Sequence, residues 1–245
     1  MRRSKQTGLQ RYSTPQLLAE GLADLFVRAA ADAIAERGAF FVALSGGTTP
    51  KAAYMLLGQE PRGSAIEWPH VFVYFGDERC VPPDNERSNF KMANDAFLRN
   101  VGLQENNVHR MRGEDDPAAA ALAYSRVLIQ MMGDVPRFDL TLLGMGADGH
   151  TASLFPGEDP RTDEERLVRA PFVAKFNEYR LTMTPKVLNN ARRVAIATEG
   201  AAKAQVLHAV LEGPFEPAVH PIQIVAPHDG GLVWLVDEAA ATFLT

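Results

Sequence analysis

From Gln16 to Arg37 the apolar positions Leu17, Leu18, Leu22, Leu25, Phe26, Ala29, Ala30, Ala33 and Ile34 recur at helical spacing. Gly38 ends that run. AFFVAL (Ala39–Leu44) follows as a short continuous apolar stretch, the pattern of a strand buried on both faces. Thr49 and Pro50 then read as an N-cap followed by proline at the first helical position, opening a helix to about Leu57.

The same alternation runs to the end of the chain. Strands are expected at Val71–Phe75, Phe138–Leu143, Arg180–Met183 and Val194–Thr198, with short apolar segments at Ile222–Val225 and Leu232–Val236. Helices are expected at Ser88–Leu98, Asp116–Met132, Pro185–Asn190 and Ala201–Leu211. Strands separated by helices predict an α/β fold with a mainly parallel sheet covered on both faces. No repeat or low-complexity tract interrupts it. Pro156–Arg166 and Glu212–His220 read as surface loops, so one domain over residues 1–245 is expected.

Composition narrows the classes. A hydrophobic share of 46% against 22% charged is that of a soluble protein with ample core. The formal net charge of -5 disfavours sequence-independent nucleic-acid binding, so an anion would need a locally focused site. Cys80 is the single cysteine, which rules out an internal disulfide and points to a reducing cytoplasm. The opening MRRSKQTGLQRYSTP has no apolar run behind its charges, and no stretch approaches the length of a membrane span. A soluble cytoplasmic protein is expected.

Three loops carry the chemistry. In LSGGTTP (Leu44–Pro50) a strand runs through Ser45, Gly46, Gly47 and Thr48 into a helix start, where unpaired N–H groups and hydroxyls suit an anion. It is neither a P-loop nor GxGxxG, so ATP and dinucleotides lose support. The second stretch, VYFGDERCVPPDNERSN, projects Asp77, Glu78 and Arg79 from a strand's carboxyl end, where open α/β sheets bind ligands. Taken alone it reads more readily as a solvated turn whose charges pair with one another. The third, LLGMGADGHTASLFPG, sets Asp148 and His150 among glycines. Histidine titrates near neutrality and Asp148 is a candidate to orient it, unless His150 merely caps a helix starting near Thr151. Arg180, at the start of RLTM, and Lys203, in the first turn after EGAAKA, are candidate anion-binding cations. No Cys/His cluster, HExxH or G-x-S-x-G elbow occurs, so no metal, cofactor or covalent acyl-enzyme is indicated.

In this order, SGGTTP, FGDER…SN, DLTLLGMGADGHTASLFPG, RLTMTP and GAAKA closely resemble the 6-phosphogluconolactonase family, over about Gln10 to Leu235. That family stands in a wider group with glucosamine-6-phosphate deaminase and ribose-5-phosphate isomerase. The resemblance implies a modified Rossmann-like fold and hydrolysis of 6-phospho-D-glucono-1,5-lactone, the second step of the oxidative pentose phosphate pathway. By position, Ser45, Gly46, Gly47, Thr48, Arg180 and Lys203 would hold the substrate phosphate. His150 would be the general base, with Asp77, Arg79 and Asp148 at the reacting end. The expected partner is a small sugar-phosphate lactone, with no nucleic acid, no membrane, and a monomer or weak homodimer. The deaminase family resembles the same loops, but carries a glutamate five residues after the DGH histidine, where this chain has Phe155, and DEY where this chain has DER. A non-catalytic sugar-phosphate sensor would keep the phosphate loop without the base. Asp148 and His150 argue against it.

Overall fold

The computed structural model describes residues 7–157, 159–161 and 165–245. The charged opening Met1–Gln6 and part of the loop expected at Pro156–Arg166 lie outside the described residues. The chain begins with β1 (Thr7–Tyr12), α1 (Pro15–Arg37), β2 (Phe40–Leu44), α2 (Thr48–Leu57), β3 (Val71–Phe75) and a three-residue β4 (Asp77–Arg79). Then come α3 (Asn89–Ala96), α4 (Pro117–Met132), β5 (Leu140–Gly144), β6 (Val168–Arg169), β7 (Phe172–Val173) and β8 (Glu178–Met183). The last elements are α5 (Pro185–Leu188), β9 (Arg193–Thr198), α6 (Ala204–Glu212) and β10 (Gly231–Asp237).

Six strands pair in the order β1-β10-β9-β5-β2-β3, and every pairing is parallel. Each central strand alternates its apolar side chains between two cores. Val42, Leu44, Leu140, Leu142, Ala195 and Ala197 face α1 and α2, with Phe26, Tyr54 and Phe97 filling that side. Ala43, Leu143, Val194 and Ile196 face the other way, against Tyr124, Leu128, Val187 and Leu207 of α4, α5 and α6. Burial on both faces explains the unbroken apolar runs of these strands.

Local signals explain most boundaries. Thr14 caps α1 by accepting the Leu17 N–H at 3.2 Å, and Gly38 closes it in the left-handed region. Ser88 and Asp116, expected inside their helices, are instead the caps, accepting from Lys91 N–H at 3.1 Å and Ala119 N–H at 3.0 Å. Thr49 is not a cap: α2 starts two residues before the expected Pro50, at Thr48, and Gly47 holds the N-cap position. No helix starts near Thr151, which makes a bridge to Leu154 around a tight turn. The strand expected at Arg180–Met183 is part of β8, but it belongs to a small separate sheet, pairing antiparallel with β4, β6 and β7. Among the described residues no helix is long and apolar enough to cross a membrane.

Candidate active site

The carboxyl ends of β2, β3, β5 and β9 lie side by side, and the loops leaving them enclose a cleft of about 170 Å³. Ser45, Gly46, Gly47 and Thr48 line it from β2, Asp77 and Arg79 from beyond β3, His150 from beyond β5, and Lys203 from beyond β9. Of the residues to which the resemblance gives a role, Asp148 and Arg180 are the two that are not part of this lining.

The Ser45 loop is held from behind. The Tyr54 hydroxyl, fully buried on α2, accepts the Ser45 N–H at 3.1 Å and donates to its carbonyl at 3.0 Å. Burial raises the pKa of that phenol well above its ordinary value, so it stays a neutral hydrogen-bonding bracket. Ser45 Oγ is buried and has no partner within the protein. The N-terminus of α2 opens beside it and adds partial positive charge. Thr48 Oγ1 donates to Glu199 at 3.4 Å, joining this loop to the one after β9.

Successive side chains of β4 point opposite ways. The buried Asp77 carboxylate accepts from Ser153 Oγ at 2.8 Å and from Asn89 Nδ2 at 3.2 Å. Asn89 Nδ2 also donates to the Asp77 carbonyl at 2.9 Å, which fixes the amide orientation and leaves Asn89 Oδ1 buried without a partner. That oxygen would lie 2.0 Å from any Cβ at position 46, so Gly46 is required for the approach. Glu78 turns inward and accepts from Arg79 N–H at 2.8 Å, Ser88 Oγ at 3.0 Å, Asn89 N–H at 2.7 Å and Phe90 N–H at 2.8 Å. Arg79 donates Nη1 to the Arg87 carbonyl at 2.5 Å, while its buried Nε has no partner.

His150 Nδ1 sits 2.5 Å from Asp148 Oδ1, and the other oxygen of Asp148 accepts from Lys175 Nζ at 3.0 Å. Burial pulls the Asp148 pKa upward, but the hydrogen bond and charge of His150 and the Lys175 contact outweigh it and hold it at about 2. The imidazole stacks on Phe155, ring centroids 4.4 Å apart. Two residues apart, Asp148 and His150 reach one another because the loop folds back, with the Gly146 N–H donated to the His150 carbonyl at 2.9 Å. A Cβ on residue 146 would stand 2.0 Å from His150 Nδ1, so this glycine makes room for the imidazole.

Lys203 ends a short 3-10 turn just before α6, half-buried, and burial lowers its pKa against the pull of Glu199 and Asp237. Arg180 is buried across the β4–β8 ladder from Arg79, with which it is in register. Its guanidinium pairs with Glu178 at 2.5 Å and packs over the Phe176 ring. Burial lowers the Arg180 pKa, and the positive charge of Arg79 adds to that effect.

The sequence and the fold have relatives. A family model described as glucosamine-6-phosphate isomerases/6-phosphogluconolactonase matches residues 13–234. The chain belongs to that family. A Synechocystis protein named 6-phosphogluconolactonase is 39% identical over 213 residues, covering 85% of this chain and 86% of the relative. A rice protein (Oryza sativa subsp. indica) named probable 6-phosphogluconolactonase 3, chloroplastic, is 34% identical over 248 residues, 96% of this chain and 75% of the relative. The solved 6-phosphogluconolactonase of Trypanosoma brucei superposes with a TM-score of 0.86 at 27% identity, over 98% of this chain and 99% of that one.

Within this family frame, four residues at the site carried no role in the sequence reading: Asn89, Glu78, Phe155 and Lys175. Asn89 and Glu78 stand in the DER…SN stretch, where the alternation of β4 and the Ser88 cap were available signals. Phe155 was visible as a replacement of glutamate, but not as the ring beneath His150. Lys175 had no signal at all, since its partner Asp148 lies far back in the chain.

Proposed function

We propose that the protein hydrolyses 6-phospho-D-glucono-1,5-lactone to 6-phospho-D-gluconate. The carrying observation is the Asp148–His150 pair, 2.5 Å apart, with His150 lining the same cleft as the Ser45–Thr48 anion loop and Lys203. The substrate phosphate docks on that loop, using the Ser45 hydroxyl, the N-terminus of α2 and the Lys203 ammonium. Arg180 contributes positive potential from beside Arg79 rather than a direct contact, because it lies outside the cleft lining and its Nη2 pairs with Glu178.

With Nδ1 engaged by Asp148, Nε2 is the nitrogen left for chemistry. Neutral His150 takes a proton from water as the water oxygen bonds to C1 of the lactone. The carbonyl electron pair moves onto oxygen, and Arg79, which lines the cleft, is the cation assigned to stabilise that oxyanion. Collapse breaks the bond between C1 and the ring oxygen, which receives the proton from His150. Asp148, held ionised, keeps the imidazole in the required tautomer and stabilises the transient imidazolium. No covalent intermediate is invoked, and the one cysteine does not suggest it: Cys80 is outside the cleft lining, with its thiol pushed up to about 11 by burial. The lone thiol also suits a reducing compartment, and we assign the cytoplasm on that ground.

Phe155 favours the lactonase over the deaminase reading. The apolar ring stacked on His150 supplies no acid for opening a sugar ring, which lactone hydrolysis does not require. The test is the decay of freshly generated lactone with the spontaneous rate subtracted. His150→Ala is expected to lose about 10²–10⁴-fold in turnover, with a small change in KM. A folded His150→Ala protein with wild-type turnover would refute the base assignment. Blank-level decay with the wild-type protein would refute the lactonase reading and make glucosamine 6-phosphate the next substrate to try.

A further inference from the structure

The connection between β7 and β8 touches the His150 assembly twice. It is a short 3-10 turn, Ala174–Phe176, closed by Asn177 in the left-handed region. From it Lys175 donates to Asp148 Oδ2 at 3.0 Å, on the far side of the carboxylate from His150. Its neighbour Phe176 packs edge-on against Phe155, centroids 5.7 Å apart, and Phe155 in turn stacks on the imidazole. Lys175 Nζ lies 5.5 Å from the Phe176 ring centre, so the same ring that braces Phe155 also flanks the ammonium.

We propose that Lys175 is a positioning residue for the reaction, one that through its ion pair fixes which Asp148 oxygen meets His150 and keeps the imidazole less basic than an unshared carboxylate would make it. This rests on the reading of His150 as the general base. A carboxylate beside an imidazole stabilises the imidazolium, and a second cation on the same carboxylate takes back part of that stabilisation. A general base works only while neutral, so Lys175 extends activity toward lower pH. Among the described residues, the other charged or titratable groups near His150 are Asp77, Arg79 and Lys203, which line the same cleft, and His220, packed against Gly149. Lys175 is distinct from these in touching Asp148 itself. Because Asp148 is held at about 2, it remains a carboxylate throughout the working range, and the charge change belongs to the imidazole.

The experiment is an NMR titration of the His150 imidazole, assigned by its absence in His150→Ala, run beside kcat/KM against pH. Lys175 has 62% of its side chain exposed, so Lys175→Met should fold. The expected result is that both the imidazole midpoint and the acid limb of kcat/KM rise by about half a pH unit in Lys175→Met. Both should return to the wild-type position in Lys175→Arg, which keeps the charge. A midpoint that stays put or falls in Lys175→Met overturns the proposal, even if activity drops, because a purely structural contact would not move the titration upward. The two readings fail separately. Wild-type turnover in His150→Ala removes the base assignment while leaving the imidazole titration as a direct measure of what Lys175 does.

Discussion

Lys203 carries its charge into a half-buried position at the cleft, where burial works against the charged form. A cation held at that cost gains most when an anion arrives. Lys203→Ala is therefore expected to raise KM for the phosphorylated lactone by roughly 10- to 100-fold, the range of a charge-assisted hydrogen bond, with a much smaller change in kcat. Steady-state assays with and without the substrate phosphate check this, since equal impairment on a phosphate-free lactone would contradict the clamp. At this scale the legible residues were those whose chemistry is local. The hydroxyls and glycines of Ser45–Thr48 and the Asp148–His150 doublet announce themselves within a few positions. Lys175 acquires meaning only from a partner across the fold, Asp148, and nothing in its own neighbourhood marks it, whereas the role of Asn89 emerges only once the Ser88 cap turns it toward Asp77. Arg180 was legible as a cation but not as the partner of Glu178, two residues away on the same strand.

Glu78 holds two elements together. It stands on β4, yet three of its four hydrogen bonds go to Ser88, Asn89 and Phe90 at the start of α3. Burial raises its pKa, while the N–H groups of Asn89, Phe90 and Arg79 pull the other way. Removing it would strand buried donors at the helix start and release Asn89, the residue that orients Asp77. Glu78→Ala is expected to cost about 2–4 kcal/mol of stability, read as a lower urea midpoint, and Glu78→Gln should cost less. The long elements followed from pattern: α1, α4 and the central strands have apolar runs or periodicity that only a two-sided core requires. The short ones did not. β1 reads TGLQRY, with no apolar run to mark it, and as an edge strand it pairs only with β10. β4 is Asp-Glu-Arg, whose charges look like a turn until Asn89, Ser153 and the α3 N–H groups neutralise their burial.

At the scale of the whole molecule, the two cores on either side of the sheet contain few titratable groups among the described residues, and His109 packs against one of them. Its ring stacks on Tyr74 with centroids 4.6 Å apart, and its Nε2 is buried without a partner. Burial lowers its pKa in the folded state. The unfolded chain therefore takes up the proton first, so the stability that neutral His109 contributes is intact above about pH 6.5 and is lost as pH falls through the folded-state value. Thermal unfolding between about pH 7 and 5 should show a falling Tm that His109→Gln flattens. Asp148, held at about 2, adds a separate loss at far lower pH. The overall architecture was the most legible level, because six parallel strands with helices between them admit few arrangements. The small sheet around β8 was not, since its strands are short and its hydrogen bonds join segments remote in sequence.

One feature of the main sheet governs how the cleft behaves. β5, which delivers His150, lies between β2, which delivers the Ser45 loop, and β9, which leads to Lys203. On the proposed function, the two segments assigned to the phosphate thus straddle the proposed base on three neighbouring parallel strands. The proposed catalytic frame would thus be set by strand pairing at the moment of folding, leaving substrate little reorganisation to drive.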